Sequence, residues 1–156
     1  MPSVTVEYVI LIPLLFTQVI IFPMVASTMT SSWQNTQRDI ELQDAANHLV
    51  STIQQFYLTI NSDDILACNV TQASTVPITV ASYPYSATCS LSDPSDGSAK
   101  ILTVSLVLDE VANAANASTV LGPNVEWIDS TLRSNSAAAY IKVEKKDGTL
   151  TFSFGG

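Results

Sequence analysis

The sequence predicts an α+β fold, a long hydrophobic N-terminal helix followed by a small antiparallel β-rich globular domain, and three observations carry that prediction. The stretch from Tyr8 to Ala26, YVILIPLLFTQVIIFPMVA, is interrupted in its apolar run only by Thr17 and Gln18. Apolar residues then recur at Leu42, Ala46, Leu49, Ile53, Phe56 and Ile60, the narrow stripe of an amphipathic helix. Beyond residue 60, short runs of β-branched and aromatic residues are punctuated by Gly, Pro, Asn and Asp, as strands and turns are. Residues 1–60 are therefore assigned to the helix, apolar over 1–26 and amphipathic over 27–60, and residues 61–156 to the β-rich domain.

At ~1.5 Å per residue the run from Tyr8 to Ala26 makes a helix of ~28 Å, close to the thickness of a bilayer's hydrocarbon core. Met1-Pro2-Ser3 leads into it, with Pro acceptable in a first turn. Pro13 and Pro23 each remove a backbone donor. Each is expected to bend or loosen the helix, with a melted or kinked patch between them and Thr17 available to a freed carbonyl. From Ser27 the chain becomes hydroxyl-rich. Trp33 suits either a membrane interface or packing against a neighbour. With no Pro or Gly between Pro23 and the end of the stripe, one helix is expected to run on to Asn61-Ser62-Asp63-Asp64, spanning more than ~80 Å.

In the β region, Val76 to Val80 and the stretch reaching Cys89 are broken by Pro77 and Pro84 and read as edge or irregular strands. Asp93 to Gly97 reads as a turn. Ile101 to Val111 is the best central strand, Asn113 to Ser118 a small polar loop, and Val125 to Leu132 either a strand or a short helical turn. The Asp147-Gly148 pair between Ala138–Glu144 and Thr149–Phe154 signals a hairpin. Its Ile141, Val143, Leu150, Phe152 and Phe154 are expected on one face, laid against the helical stripe.

Composition excludes several functions. The net charge is −8 and only six residues are Lys or Arg, so nucleic acid is not an expected partner, because phosphate binding needs clustered cations. Charged residues are 13% of the chain against 47% hydrophobic, a balance suited to packed assemblies and glycan cover. His48 is the single histidine; Asp44 stands one turn before it for an i,i+4 pair, and an exposed helical histidine is the preferred reading. The acidic pairs Asp63-Asp64 and Asp109-Glu110, with Asp93 and Asp96, lack calcium-loop spacing and read as solvated turns. No enzyme activity and no cofactor are expected.

The even cysteine count, Cys68 and Cys89, suggests a disulfide if the domain is exported, closing a loop of ~22 residues and contributing roughly 3 kcal/mol; two free buried thiols are the alternative. Asn69-Val70-Thr71 and Asn116-Ala117-Ser118 are N-glycosylation sequons.

Glu7 is the only charged side chain before Arg38, and a carboxylate at the mouth of an apolar run needs a partner. The nearest cation is a chain's own α-amino group. If copies of the helix pack side by side, Glu7 meets the Met1 amino terminus of a copy displaced by six residues, ~9 Å along the axis, which builds a filament. The run Val6-Glu7-Tyr8-Val9-Ile10-Leu11-Ile12-Pro13-Leu14-Leu15 resembles the N-terminal segment of the type IV pilin superfamily, in particular its archaeal and TadE-like branches. There a Glu is followed by an aromatic residue, here Tyr8, and six positions later by a Pro within a Leu-rich run, here Pro13. The likeness covers roughly the first quarter of the chain. It implies a subunit anchored in the membrane before assembly and then polymerised through its helix into an extracellular filament, with Glu7 aligning or neutralising a neighbour's terminus. In many pilins the Glu is the fifth mature residue, which would place maturation at Ser3; family precursors carry a short basic leader, which does not precede Met1, so either the chain begins at a mature residue or its processing differs.

The expected function is thus a filament subunit whose partners are copies of itself, the membrane before assembly, and glycans on an exterior domain. A minor pilin or pseudopilin, an archaellum-type filament protein, and a single-pass membrane-anchored binding protein are the alternatives.

Overall fold

The computed structural model describes the backbone of residues 3–92 and 98–156, with side chains from Val9 onward. Among the described residues one α-helix, α1 (Ser3–Ile60), is followed by eight strands. These are β1 (Cys68–Ala73), β2 (Tyr85–Leu91), β3 (Lys100–Leu108), β4 (Ala114–Leu121), β5 (Val125–Trp127), β6 (Thr131–Arg133), β7 (Tyr140–Lys146) and β8 (Thr149–Gly155). The α+β class and the long apolar helix are as predicted. The melted patch is not: α1 is helical through Pro13 and Pro23. Thr17 Oγ1 donates to the Pro13 carbonyl at 2.7 Å, the carbonyl one turn below it and not the one that Pro13 deprives of a donor.

The chain divides into two compact units, Met1–Gln37 and Arg38–Gly156, so the boundary falls inside the helix and not at its end. In the second unit the strands form two four-stranded sheets, ordered β1-β7-β8-β5 and β4-β3-β2-β6. All pairs are antiparallel except β5 with β8. The helical stripe buries Leu42, Ala46, Leu49, Ile53 and Ile60, with Phe56 partly buried. These residues share one hydrophobic cluster with Leu102, Val104 and Leu106 of β3 and Ile141, Val143, Leu150, Phe152 and Phe154 of the last hairpin. At ~25 cal/mol per Å² of apolar surface removed from water, this cluster is the main stabilising term of the unit.

Strand by strand, several expectations need correcting. β1 had no counterpart in the sequence reading. The stretch reaching Cys89 becomes β2, which is paired on both sides and is no edge; Pro84 lies just ahead of it and so removes no ladder donor. The supposed polar loop at 113–118 is largely β4, whose burial alternates strictly, with Ala115, Ala117, Thr119 and Leu121 inside. Small alanines facing the core concealed a period-2 pattern that larger residues would have displayed. Residues 125–132 supply two short strands, β5 and the start of β6, and no helical turn. The expected Asp93–Gly97 turn lies outside the described residues. The final hairpin is as predicted: Asp147 (φ 51°) and Gly148 (φ 81°) form a two-residue turn between Lys146 and Thr149, with the positive φ angles that Asp-Gly supplies at low cost.

Candidate assembly surface

The first unit carries the surface most in need of an explanation. From Val9 to Met29 every large apolar side chain is exposed, from 49% at Leu11 to 75% at Phe22. Consecutive positions are exposed alike, so the apolar surface runs all round the helix and not along one stripe. A helix of that kind is at home only where every side is covered by lipid or protein. By length and composition it is sufficient to cross a membrane. Two shallow grooves mark its surface, one of about 510 Å³ lined by Leu15, Val19 and Pro23, the other of about 530 Å³ lined by Leu14, Ile21 and Val25, with Gln18 and Phe22 reaching both.

The hydroxyl-rich stretch that follows is less polar than its composition suggests. Thr28, Thr30, Ser31 and Thr36 each donate to the carbonyl four residues earlier, at 2.8–3.0 Å. Each hydroxyl hydrogen is thereby satisfied within its own helix. Trp33 is exposed at 64%. Met1 and the side chains of Glu7 and Tyr8 lie outside the described residues, so the geometry of the expected Glu7 pairing is a matter of sequence alone.

The second unit shows how the amphipathic half of the helix is fastened. Asn113 Nδ2 donates to Asp39 Oδ1 (2.7 Å), Gln43 Nε2 donates to the Asn116 carbonyl (3.0 Å), and Arg38 stacks 5.0 Å from the Tyr83 ring centroid. Glu41 Oε2 accepts from the Ala81 amide at 3.0 Å. Ala81 and Ser82 have φ of 49° and 73°, a left-handed turn built without glycine and hence strained; the Glu41 carboxylate helps to hold it. At the helix C-terminus, the buried Lys145 donates to the carbonyls of Ile60 (2.9 Å) and Ser62 (2.8 Å). α1 has no basic residue in its last turn, so a strand provides the cation that its orphan carbonyls and dipole favour. Asn124 Nδ2 adds bonds to Asn61 Oδ1 and to the Gly148 carbonyl, at 2.8 and 2.9 Å. Sequence reasoning missed Lys145, though strand parity placed it on the inward face with Ile141 and Val143.

Of the other candidates, Asp44 and His48 are exposed and line a cleft of about 310 Å³ with Glu41, Thr75, Pro77, Thr79 and Val80. Asp63, Asp64, Asp109 and Glu110 are exposed; Asp93 and Asp96 lie outside the described residues. Among the described residues no three His, Cys, Asp or Glu side chains converge as a metal site would require. Cys68 and Cys89 stand as free thiols, the alternative to the expected disulfide. The strands that carry them, β1 and β2, belong to different sheets. Burial pushes the Cys89 thiol well above its usual range, which disfavours the reactive thiolate. Both sequon asparagines, Asn69 on β1 and Asn116 on β4, are exposed.

No family model, no curated protein and no solved structure matches the chain, and the arrangement has to be interpreted from its own residues.

Proposed function

We propose that the chain is the structural subunit of an extracellular type IV pilus-like filament, held in the membrane before assembly and polymerised through α1. The observation that carries this reading is the unbroken exposure of apolar side chains from Val9 to Met29. Lipid covers such a surface in a monomer, and copies of the same helix cover it in a polymer. Glu7 favours the polymer. A lone anchor has no use for a carboxylate at that position, whereas a neighbouring chain's amino terminus neutralises it. The second unit has its own core and fastens its own stretch of α1, which suits it to remain outside while the apolar helix is buried.

The test is electron microscopy of filaments sheared from cells producing the native chain or Glu7→Ala. Thin filaments with a rise of a few to ten Å are expected from the native chain. Glu7→Ala is expected to leave the folded monomer in the membrane and to stop or misregister assembly. Normal filaments from Glu7→Ala would remove the role assigned to that carboxylate. A membrane-anchored binding protein is the second reading, favoured by a helix long and apolar enough to cross the bilayer by itself. A native chain that leaves no filaments and stays with the membrane fraction would establish it.

A further inference from the structure

The two sequons occupy related places in the fold. Among the described residues the two sheets have four edge strands, β1 and β5 in one and β4 and β6 in the other. β5 and β6 are three residues long, and each carries an exposed charge, Glu126 and Arg133. Short length and a charge are the usual protections of an edge against pairing with a foreign strand. β1 and β4 have neither. They run to six and eight residues, CNVTQA and AANASTVL, with no charge and no proline, presenting about 20 and 26 Å of edge at ~3.3 Å per residue. These two edges, protected neither by short length nor by charge, hold the chain's two sequons, and α1 touches only the start of β4, through Gln43 on the Asn116 carbonyl and Asp39 on the neighbouring Asn113.

We propose that oligosaccharides on Asn69 and Asn116 are edge guards, blocking strand addition at β1 and β4. Strand parity supports the placement. Asn69 alternates with the half-buried Cys68 and Val70, and Asn116 with the buried Ala115 and Ala117. Both asparagines therefore project from the solvent face of an edge strand, as do Thr71 and Ser118, the hydroxyl residues of the sequons, two positions on. An incoming strand must approach to ~4.8 Å along the whole edge, and a bulky hydrated chain rooted in that edge obstructs it. One acceptor of β4 is already taken, the Asn116 carbonyl by Gln43. The modification follows ordinary sequon chemistry. The Asn Nδ2 gives up one proton and bonds to the anomeric carbon of a lipid phosphate-linked oligosaccharide, and the lipid phosphate departs with the electron pair of the broken bond.

The inference rests on the exterior placement of the second unit in the reading above. Its test uses the full chain from cells that produce it, purified in detergent so that α1 is covered. Glycopeptide mass spectrometry is expected to find both asparagines occupied. Asn69→Gln with Asn116→Gln is expected to shift the protein from monomer to dimers and larger species by light scattering, with new hydrogen-exchange protection at β1 and β4. Thr71→Ser with Ser118→Thr preserves both sequons and should remain monomeric. Adding Gln72→Lys and Val120→Lys to the double Gln variant should restore the monomer by charging the same edges. Unoccupied asparagines overturn the inference, as does a double Gln variant that stays monomeric. So does association accompanied by lost protection in β3 and unrelieved by the lysines, which would assign the glycans to folding. Protease digestion of intact cells separates the two failures: an accessible unit without glycans sinks only the edge guards, an inaccessible one sinks the exterior placement as well.

Discussion

Two stretches of one helix obey opposite rules. Between Val9 and Met29, apolar side chains are exposed on every side; between Leu42 and Ile60, Leu42, Leu49 and Ile53 are at most 1% exposed while their polar neighbours face solvent. The lesson is that the angular distribution of apolar residues decides what a helix packs against, more than their number does. A stripe can be covered by one sheet-bearing domain of the same chain. A full circumference needs an environment.

The largest expected effect comes from cutting the same kind of side chain in each stretch. Leu49→Ala should lower the stability of the second unit by about 2–5 kcal/mol, through lost burial plus a residual cavity. Ile20→Ala, on the exposed stretch, should leave the stability of that unit unchanged. Chemical denaturation in detergent measures both, and equal losses would break the contrast between the two stretches.

A smaller effect is expected at the end of the buried stretch. Lys145→Met keeps the bulk of the stem but strips the Ile60 and Ser62 carbonyls of their donor, which should cost about 1–3 kcal/mol. Hydrogen exchange should show the loss first in the last turn of α1. An unchanged last turn would mean that water replaces the ammonium without penalty.

The smallest expected effect is a pH dependence. Tyr85 donates its hydroxyl to the Pro77 carbonyl at 2.8 Å, and burial raises its pKa from 10.0 to about 12. The folded state therefore holds the phenolic proton more tightly than the unfolded state does. Its contribution is complete below pH ~10 and is lost as the pH rises toward ~12. Tyr85→Phe should flatten that alkaline decline relative to the native chain, and an identical decline in both would remove the contribution.

Much of this was legible in the order of residues. The spacing of Leu42 to Ile60 marks a helical face, and the Asp147-Gly148 pair marks a tight hairpin whose inward residues follow by parity. β4 was hidden because Ala115 and Ala117 are too small to display a hydrophobic alternation. The state of the two thiols was left between a disulfide and free cysteines, because an even count says nothing of which sheet each cysteine enters. The strained turn at Ala81 and Ser82 carries no Gly or Asn to announce it. The candidate surface itself was plain in the apolar run from Tyr8 to Ala26, whereas the Lys145 cap on the helix end was not.

By itself, then, the sequence determined what is local and periodic: a helix from near the N-terminus to residue 60, apolar all round at one end and striped at the other, and strands whose parity selects an inner face. Those properties depend on backbone geometry and the period of side chains, which a linear pattern displays. Only the tertiary structure decided which strands are edges, that Cys68 and Cys89 stand in different sheets, and that Lys145 reaches across 85 residues to cap the helix. Strand order and long-range contact arise from how whole surfaces fit together, and no short window of sequence contains both partners.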